Sequence, residues 1–348
     1  MTGDSILLDQ VAGRRVAARL VDGRLDDLLT DPPEDAEPGP GAIARARVDR
    51  PAKGAGGTFV ALPDGMSGFL RGETGLSPGA SVLVQVSGRA EPGKAVPLTP
   101  KLLFKSRHVI VTPSAPGLNL SRQIKDEETR ARLRTLAEDL MDDTRMGLIL
   151  RSGSAEAEEG AVADDIADMR ALAEAVTGDI HGQPEWLTDA PDAHHLAWRD
   201  WPEAQEIDTT PGCLADRGIL DEIAALARPE TDLPGGGFMA VEPTRALVAV
   251  DVNTGSDTSP AAALKVNLAA LRDLPRALRL RGLGGQVVVD LAPLPKKHRR
   301  QAEQVAKTAL KACPVETAFV GWTPLGHIEL SRKRERWPLD RSFLEAAQ

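Results

Sequence analysis

Apolar and polar positions alternate in short runs at the start of the chain. SILLDQVAGRRVAARLVDGRLDDLLTD predicts strands around Ile6 to Asp9, Arg15 to Val21 and Arg24 to Leu29, with Asp22-Gly23 as a tight turn. The Pro-rich acidic stretch DPPEDAEPGPG then breaks the pattern and reads as a linker or boundary. From Gly41 to about Phe104, short β runs are separated by glycines: GAIARARVDR, GGTFVALPDG, MSGFLRGE, GASVLVQVSGRA and GKAVPLTP. Short strands at this spacing predict a small barrel of the OB kind. From Lys105 to about Ala175 the periods alternate between 2 and 3.6, with strand HVIVTP, helix DEETRARLRTLAEDLMDD, strand GLILRSGS and helix VADDIADMRALAEAV. They form a small α/β unit. Gly178 to Leu233 is weakly periodic, with one helical run at Asp221 to Arg228.

Gly235 to Pro338 is the clearest stretch. A glycine triplet precedes strands FMAVEP and RALVAVDVN, and Ser259-Pro260 then opens a helix as its cap and first residue. That helix runs to the glycines of LRLRGLGG, which stop it. Pro275 lies inside it, and an interior proline costs about 3 kcal/mol unless the helix kinks. Strand QVVVDL, a basic helix from about Lys296 to Lys311, and strands ETAFVGW and GHIELSRKR follow. Strands alternating with helices imply a layered α/β sheet.

Composition adds bounds. The 348 residues are enough for more than one core, and the net charge of -9 argues mildly against a nucleic-acid binder. The charges are segregated, however. Acids crowd Asp22 to Glu37 and Glu156 to Asp216, while bases gather at Arg45 to Lys53, Lys101 to His108, Arg272 to Arg281, Lys296 to Arg300 and Arg332 to Arg336. A folded chain can therefore present a basic face despite its total. The two cysteines, Cys213 and Cys313, have neither disulfide-framework nor zinc-type spacing. The N-terminus MTGDSILLDQVAGRRVAARL has no apolar core of signal-peptide length, and no apolar run approaches the roughly 20 residues that span a bilayer. A cytoplasmic protein without a membrane partner is expected.

The candidate chemistry sits in RALVAVDVNTGSD. A strand alternates its faces, so Asp251 and Asn253 project from one side where the strand ends. Asp290 ends the next strand of the βαβ unit, and ligands of open α/β sheets bind at that carboxyl edge. Two carboxylates and an amide suit Mg²⁺, which keeps several waters and takes a further ligand from phosphate. The competing reading makes Asp251 the head of an Asx turn and Asp290 a turn cap before Pro293. Phe59 and Phe69 are equally open, as base-stacking rings or as barrel core.

VAVDVNTG, LKVNLAALRDLPRALRLRGLGGQVVVDL and LGHIELSRKR together resemble the catalytic part of the ribonuclease E/G family. GGTFVALPDGMSGFL resembles that family's S1-type barrel, and LSRQI with MGLILRSG resembles its 5′-sensor. The resemblance implies an RNase H-like part at 1–38 and 176–234, an inserted S1-type OB barrel at 39–104, a 5′-sensor α/β unit at 105–175 and a DNase I-like catalytic part at 235–348. It also implies Mg²⁺-dependent endonucleolytic cleavage of single-stranded RNA, leaving a 5′-phosphate and a 3′-hydroxyl. By resemblance, Asp251 and Asp290 hold Mg²⁺, and Asn253 positions one of them and the scissile phosphate. Phe59, Phe69 and Lys94 contact RNA in the barrel, and Arg122, Arg151 and Ser152 grip a 5′-monophosphate.

Several positions depart from the family pattern. Arg245 stands in place of Glu and Pro293 in place of Asp, changes expected to bear on metal affinity or substrate grip. Ser152 replaces Thr, and Glu316 replaces an Arg that reinforces the sensor. The sequence reaches Gln348 without the two-cysteine zinc link, so no zinc-linked dimer or tetramer is expected. The rival expectation is an RNA-binding protein of the same family with weakened catalysis. A metal phosphoesterase acting on small molecules would explain the two acids but leave the barrel without a purpose.

Overall fold

The computed structural model describes residues 3–52, 54, 56–73 and 75–348; Lys53, at the end of the first basic run, lies outside the described residues. Strands β1 (Asp4–Val11), β2 (Arg14–Val21) and β3 (Arg24–Thr30) form an antiparallel meander. The Asp22-Gly23 turn takes φ values of 51° and 76°, the left-handed pair that a two-residue hairpin loop requires. Ala12-Gly13 does the same for the first hairpin, at 50° and 77°. An alanine gave no turn signal there, because side chains other than those of Gly, Asn and Asp rarely take that region.

Five strands follow: β4 (Ile43–Ala52), β5 (Gly57–Ala61), β6 (Ser67–Arg71), β7 (Ser81–Val86) and β8 (Val96–Thr99). Their order β4-β5-β6-β8-β7 closes when β7 pairs back on β4, giving a closed barrel of the OB-like kind that the glycine-punctuated runs predicted. Closure removes the free edges that short strands otherwise expose. Val60, Leu70, Val84 and Leu98 fill its centre.

Next come β9 (Phe104–Lys105), β10 (Val109–Thr112), β11 (Leu118–Leu120), helix α1 (Glu127–Met141), β12 (Gly147–Leu150) and α2 (Glu159–Gly178). The four strands make one sheet, ordered β11-β12-β10-β9, with β11 parallel to β12. Asp126 caps α1 by accepting the Thr129 N–H at 2.8 Å, and that bond holds its carboxyl below the usual range. In the weakly periodic region, β13 (Glu185–Thr188) joins the barrel sheet beside β4, and α3 (Ala193–Asp200) follows.

β14 (Glu206–Asp208) pairs in parallel with β1, and α4 (Cys213–Asp216) and α5 (Ile219–Ala225) pack Leu214 and Ile223 on Leu7 and Leu25. The last sheet contains β15 (Glu230–Leu233), β16 (Gly237–Pro243) and β17 (Val248–Asn253). Helix α6 (Pro260–Leu280) leads to β18 (Gly285–Asp290), and α7 (Lys296–Ala312) leads to β19 (Thr317–Trp322) and β20 (Ile328–Arg332); α8 (Arg341–Ala346) ends the fold. The strand order is β15-β16-β17-β18-β20-β19, and only its central pair β17–β18 is parallel. Val250, Val252, Val287 and Val289 are buried with Val266, Leu271 and Leu274 of α6 and Ala302 and Ala306 of α7. The Ser259 hydroxyl caps α6, accepting the Ala262 N–H at 3.2 Å. The helix continues through Pro275, which is buried inside it.

Contacts divide the chain into two compact units, residues 1–33 with 204–348 and residues 34–203. No described helix is long and apolar enough to cross a membrane.

Candidate active site

Burial along β17 and β18 alternates, as a strand with one covered face must. Val250, Val252 and Val289 point into the core, so Asp251 and Asp290 emerge on the opposite, exposed face. The two acids are direct register partners across the parallel pair. Adjacent strands lie about 4.8 Å apart, so both carboxylates leave the sheet side by side at one level. Asn253, two residues on, donates its amide N–H to Asp251 Oδ2 at 2.6 Å. On the other flank, His327 Nε2 lies 3.5 Å from Asp290 Oδ1. Neither carboxylate accepts a turn N–H from a described residue, so the hydrogen bonds that an Asx turn or a turn cap requires are not made.

The donors are hard carboxylate oxygens, open to solvent. Among the described residues no third His, Cys, Asp or Glu joins them in a metal-sized cluster. Two carboxylates alone leave most of a coordination sphere to water and phosphate, a set that fits Mg²⁺ and does not fit a closed zinc site.

The loop after β18 is fixed by a residue that pattern reading missed. Asn267 of α6 is fully buried; its Nδ2 donates to the Ala292 carbonyl at 2.9 Å, and its Oδ1 accepts the Ala292 N–H at 3.0 Å. The available signal was an amide on an otherwise apolar helix stripe. Pro293 follows this clamp and is exposed. Arg245 sits in the hairpin turn between β16 and β17, outside both strands and six positions before Asp251. Three strand steps, about 10 Å at about 3.3 Å per residue, separate the start of β17 at Val248 from Asp251. Glu316 pairs with Lys333 at 3.3 Å.

In the barrel, Phe59 and Phe69 face each other across β5 and β6, with ring centroids 5.3 Å apart and tilted by 52°. Their neighbours Val60 and Leu70 fill the barrel, so strand alternation turns the rings outward, where they are half-buried. The Arg50 guanidinium lies 5.0 Å over the Phe59 ring. Gly57 leaves room for the pair, since a Cβ there would come within 2.6 Å of the Phe69 ring and 2.3 Å of the Leu70 carbonyl. Lys94 stands two residues before β8, exposed and paired with Glu91 at 2.7 Å.

The parallel register of β11 and β12 aligns Leu120 with Leu150. Arg122 lies two positions past the first, and Arg151 and Ser152 directly follow the second, so all three reach one sheet edge. Arg122 and Ser152 are exposed, and Arg122 makes no ion pair with a described residue. Arg151 is already engaged, donating to the Ser106 and Arg199 carbonyls and to Asp200 Oδ1 at 2.7 Å. Burial pushes the Asp200 carboxyl up, but Arg199 and Arg151 outweigh it and hold the group below its usual range.

The sequence profile of the Ribonuclease E/G family matches residues 104–210 and 206–335, more than half of the chain. The chain belongs to the ribonuclease E/G family. The match includes Asp251, Asn253, Asp290, Arg122, Arg151 and Ser152, while the barrel residues Phe59, Phe69 and Lys94 precede it. Relatives carry the same family names. Ribonuclease E of Nostoc sp. is 31% identical over 303 residues, covering 75% of this chain and 44% of that protein. Ribonuclease E of Synechocystis sp. is 30% identical over 301 residues, with the same coverage of 75% and 44%. Ribonuclease G of Haemophilus influenzae is 26% identical over 300 residues, covering 75% of this chain and 61% of its own length. The chain thus spans about half the length of the ribonuclease E and G relatives it matches.

Proposed function

We propose that this chain is a cytoplasmic, Mg²⁺-dependent endoribonuclease that cuts single-stranded RNA, leaving a 5′-phosphate and a 3′-hydroxyl. The observation that carries the reading is the level pair Asp251 and Asp290, with the Asn253 amide bonded to the first of them. Asp251 and Asp290 would hold the metal, which when bound supplies charge neutralisation at the phosphoryl oxygens and activation of water. Asn253 fixes the rotamer of Asp251 and keeps one of its oxygens engaged. Phe59 and Phe69 offer two π-faces for unpaired bases, and Lys94 adds an exposed cation in the loop before β8. Arg122, Arg151 and Ser152 form the site for a 5′-monophosphate, a guanidinium fork being matched to phosphate oxygens. The layout that goes with this reading is an RNase H-like part with an inserted S1-type barrel, a 5′-sensor and a DNase I-like catalytic part.

The test incubates the protein with a labelled, 5′-monophosphorylated, AU-rich single strand, with and without Mg²⁺, beside Asp251→Ala and Asp290→Ala. Metal-dependent internal cleavage lost in both variants is expected. Tight binding without cleavage, unchanged in the variants, would replace this reading by that of an RNA-holding protein.

A further inference from the structure

Beside the two carboxylates lies a cation that neither the metal nor the barrel reading uses. The Arg299 guanidinium of α7 lies 5.0 Å over the Trp322 ring of β19. Its far end reaches the β19–β20 turn, where a Cβ on Gly326 would come within 2.6 Å of Arg299 Nη2. The next residue in that turn is His327, 3.5 Å from Asp290. Trp322, Arg299, Gly326, His327 and Asp290 therefore form one continuous contact path ending at the proposed cleavage site.

Arg299 is held there without being neutralised. The neighbouring acid, Glu303, is committed to Lys307 at 2.6 Å and to the Trp322 indole N–H at 3.3 Å. Those two partners hold its carboxyl below the usual range, Lys307 first. Arg299 makes no ion pair with a described residue. The first turn of α7 contains no acid at all, although cations at that end of a helix oppose its dipole by about 0.3–1 kcal/mol each at low salt. Stacking on the ring is worth about 0.5–1 kcal/mol at an exposed site, and together with the glycine recess it restricts the guanidinium to one position. A planar fork braced on a ring, against the turn whose next residue, His327, meets Asp290, suits a phosphodiester oxygen.

We propose that Arg299, braced by Trp322 against the Gly326 turn, binds a backbone phosphate of the RNA strand next to the bond held at Asp251 and Asp290. The assignment rests on the endoribonuclease reading and adds to it a subsite for the flanking nucleotide. Trp322 is a positioning residue: it holds the guanidinium, and the guanidinium holds the strand.

The test measures binding of the labelled AU-rich strand to the full chain by fluorescence anisotropy in EDTA across a salt series, with cleavage in Mg²⁺ measured in parallel. Arg299→Ala should weaken binding about tenfold, the scale of one charge-assisted contact. It should also lower the slope of log affinity against log salt by about 0.7, the loss of one phosphate contact on a single strand. Trp322→Phe should stay near wild type, and Trp322→Leu should fall between wild type and Arg299→Ala. Arg341→Ala removes the same charge from a side chain that is 91% exposed and paired with Glu345, and should leave the slope unchanged. If the wild type binds and cleaves while Arg299→Ala matches it, or if Arg341→Ala lowers the slope equally, the subsite is overturned and the nuclease reading stands. A wild type that binds no strand overturns both.

Discussion

Replacing Asn267 tests whether the loop after β18 is held as described. Asn267→Ala removes both hydrogen bonds to Ala292, at 2.9 and 3.0 Å, in a place where the asparagine is 0% exposed and Ala292 is 6% exposed. A buried donor and a buried acceptor are then left without partners, each costing about 1–3 kcal/mol, and the vacated amide volume adds a cavity term. The two groups together cost about 2–6 kcal/mol before the cavity term. For a unit of this size the shift is about 2–4 °C per kcal/mol, so a fall in Tm of roughly 4–24 °C is expected. Calorimetry on wild type and variant reads it directly. At a temperature where both are folded, cleavage by the variant should also drop, because the chain leaving Asp290 has lost its anchor. A change below about 0.5 kcal/mol, the ordinary scale of a surface substitution, would refute the clamp.

Three further outcomes follow from the geometry. Phe59→Ala and Phe69→Ala should each weaken single-strand binding by about 1–3 kcal/mol, roughly five- to hundredfold, with little loss of barrel stability; titration of the labelled strand and a melting curve separate the two. Arg245→Glu should leave cleavage at about 0.15 M salt and saturating Mg²⁺ within about twofold of wild type, since the side chain lies in the turn before β17, three strand positions or about 10 Å short of Asp251, where exposed charges are largely screened. Asp340 caps α8. Burial pushes its carboxyl up, but Ser342, the Phe343 N–H and Arg14 outweigh it and bring the group from 3.8 down to about 2. Its stabilisation is therefore complete above the unfolded value and lost as pH falls from 3.8 towards about 2. Asp340→Asn should remove about 1 kcal/mol of that acid-dependent stability once solvent screening is allowed for, read as the wild-type-minus-variant difference in urea midpoints across the window.

Where period and punctuation are local, the sequence was legible. The hairpin at Asp22-Gly23, the glycine-spaced barrel and the βαβ unit from β17 to β18 all follow runs long enough to carry a period. Asp251 and Asp290 were visible because each ends such a run. Strands β11, β13, β14 and β15 were not, since three or four residues cannot establish alternation and their partners lie elsewhere in the chain. β13 pairs with β4, and β14 with β1, across most of a unit. The placement of Arg245 in a turn was hidden for a different reason: a motif gives order along the chain, whereas the point where a strand begins depends on its pairing with β16. Asn267 and Arg299 were hidden because their meaning lies in what they touch. One amide in an apolar stripe and one arginine in a basic run carry no label until Ala292 and Trp322 are placed beside them.

The parallel pairing of β17 with β18 has a consequence for when the protein acquires its activity. Asp251 and Asp290 stand 39 positions apart (290 minus 251), and parallel neighbours cannot be joined by a turn, so the chain must complete the whole α6 crossover before the acids meet. Such a contact bears a loop-closure cost that local hairpins avoid, and it forms late on the scale set by contact order. Once formed, it places two like charges at adjacent positions, a local repulsion that the rest of the sheet must outweigh. A divalent ion that binds only the folded pair would relieve that repulsion and draw the folding equilibrium toward the assembled state. The level pair of acids is then absent until the α6 crossover is complete, and a partly folded chain carries no half-built version of it.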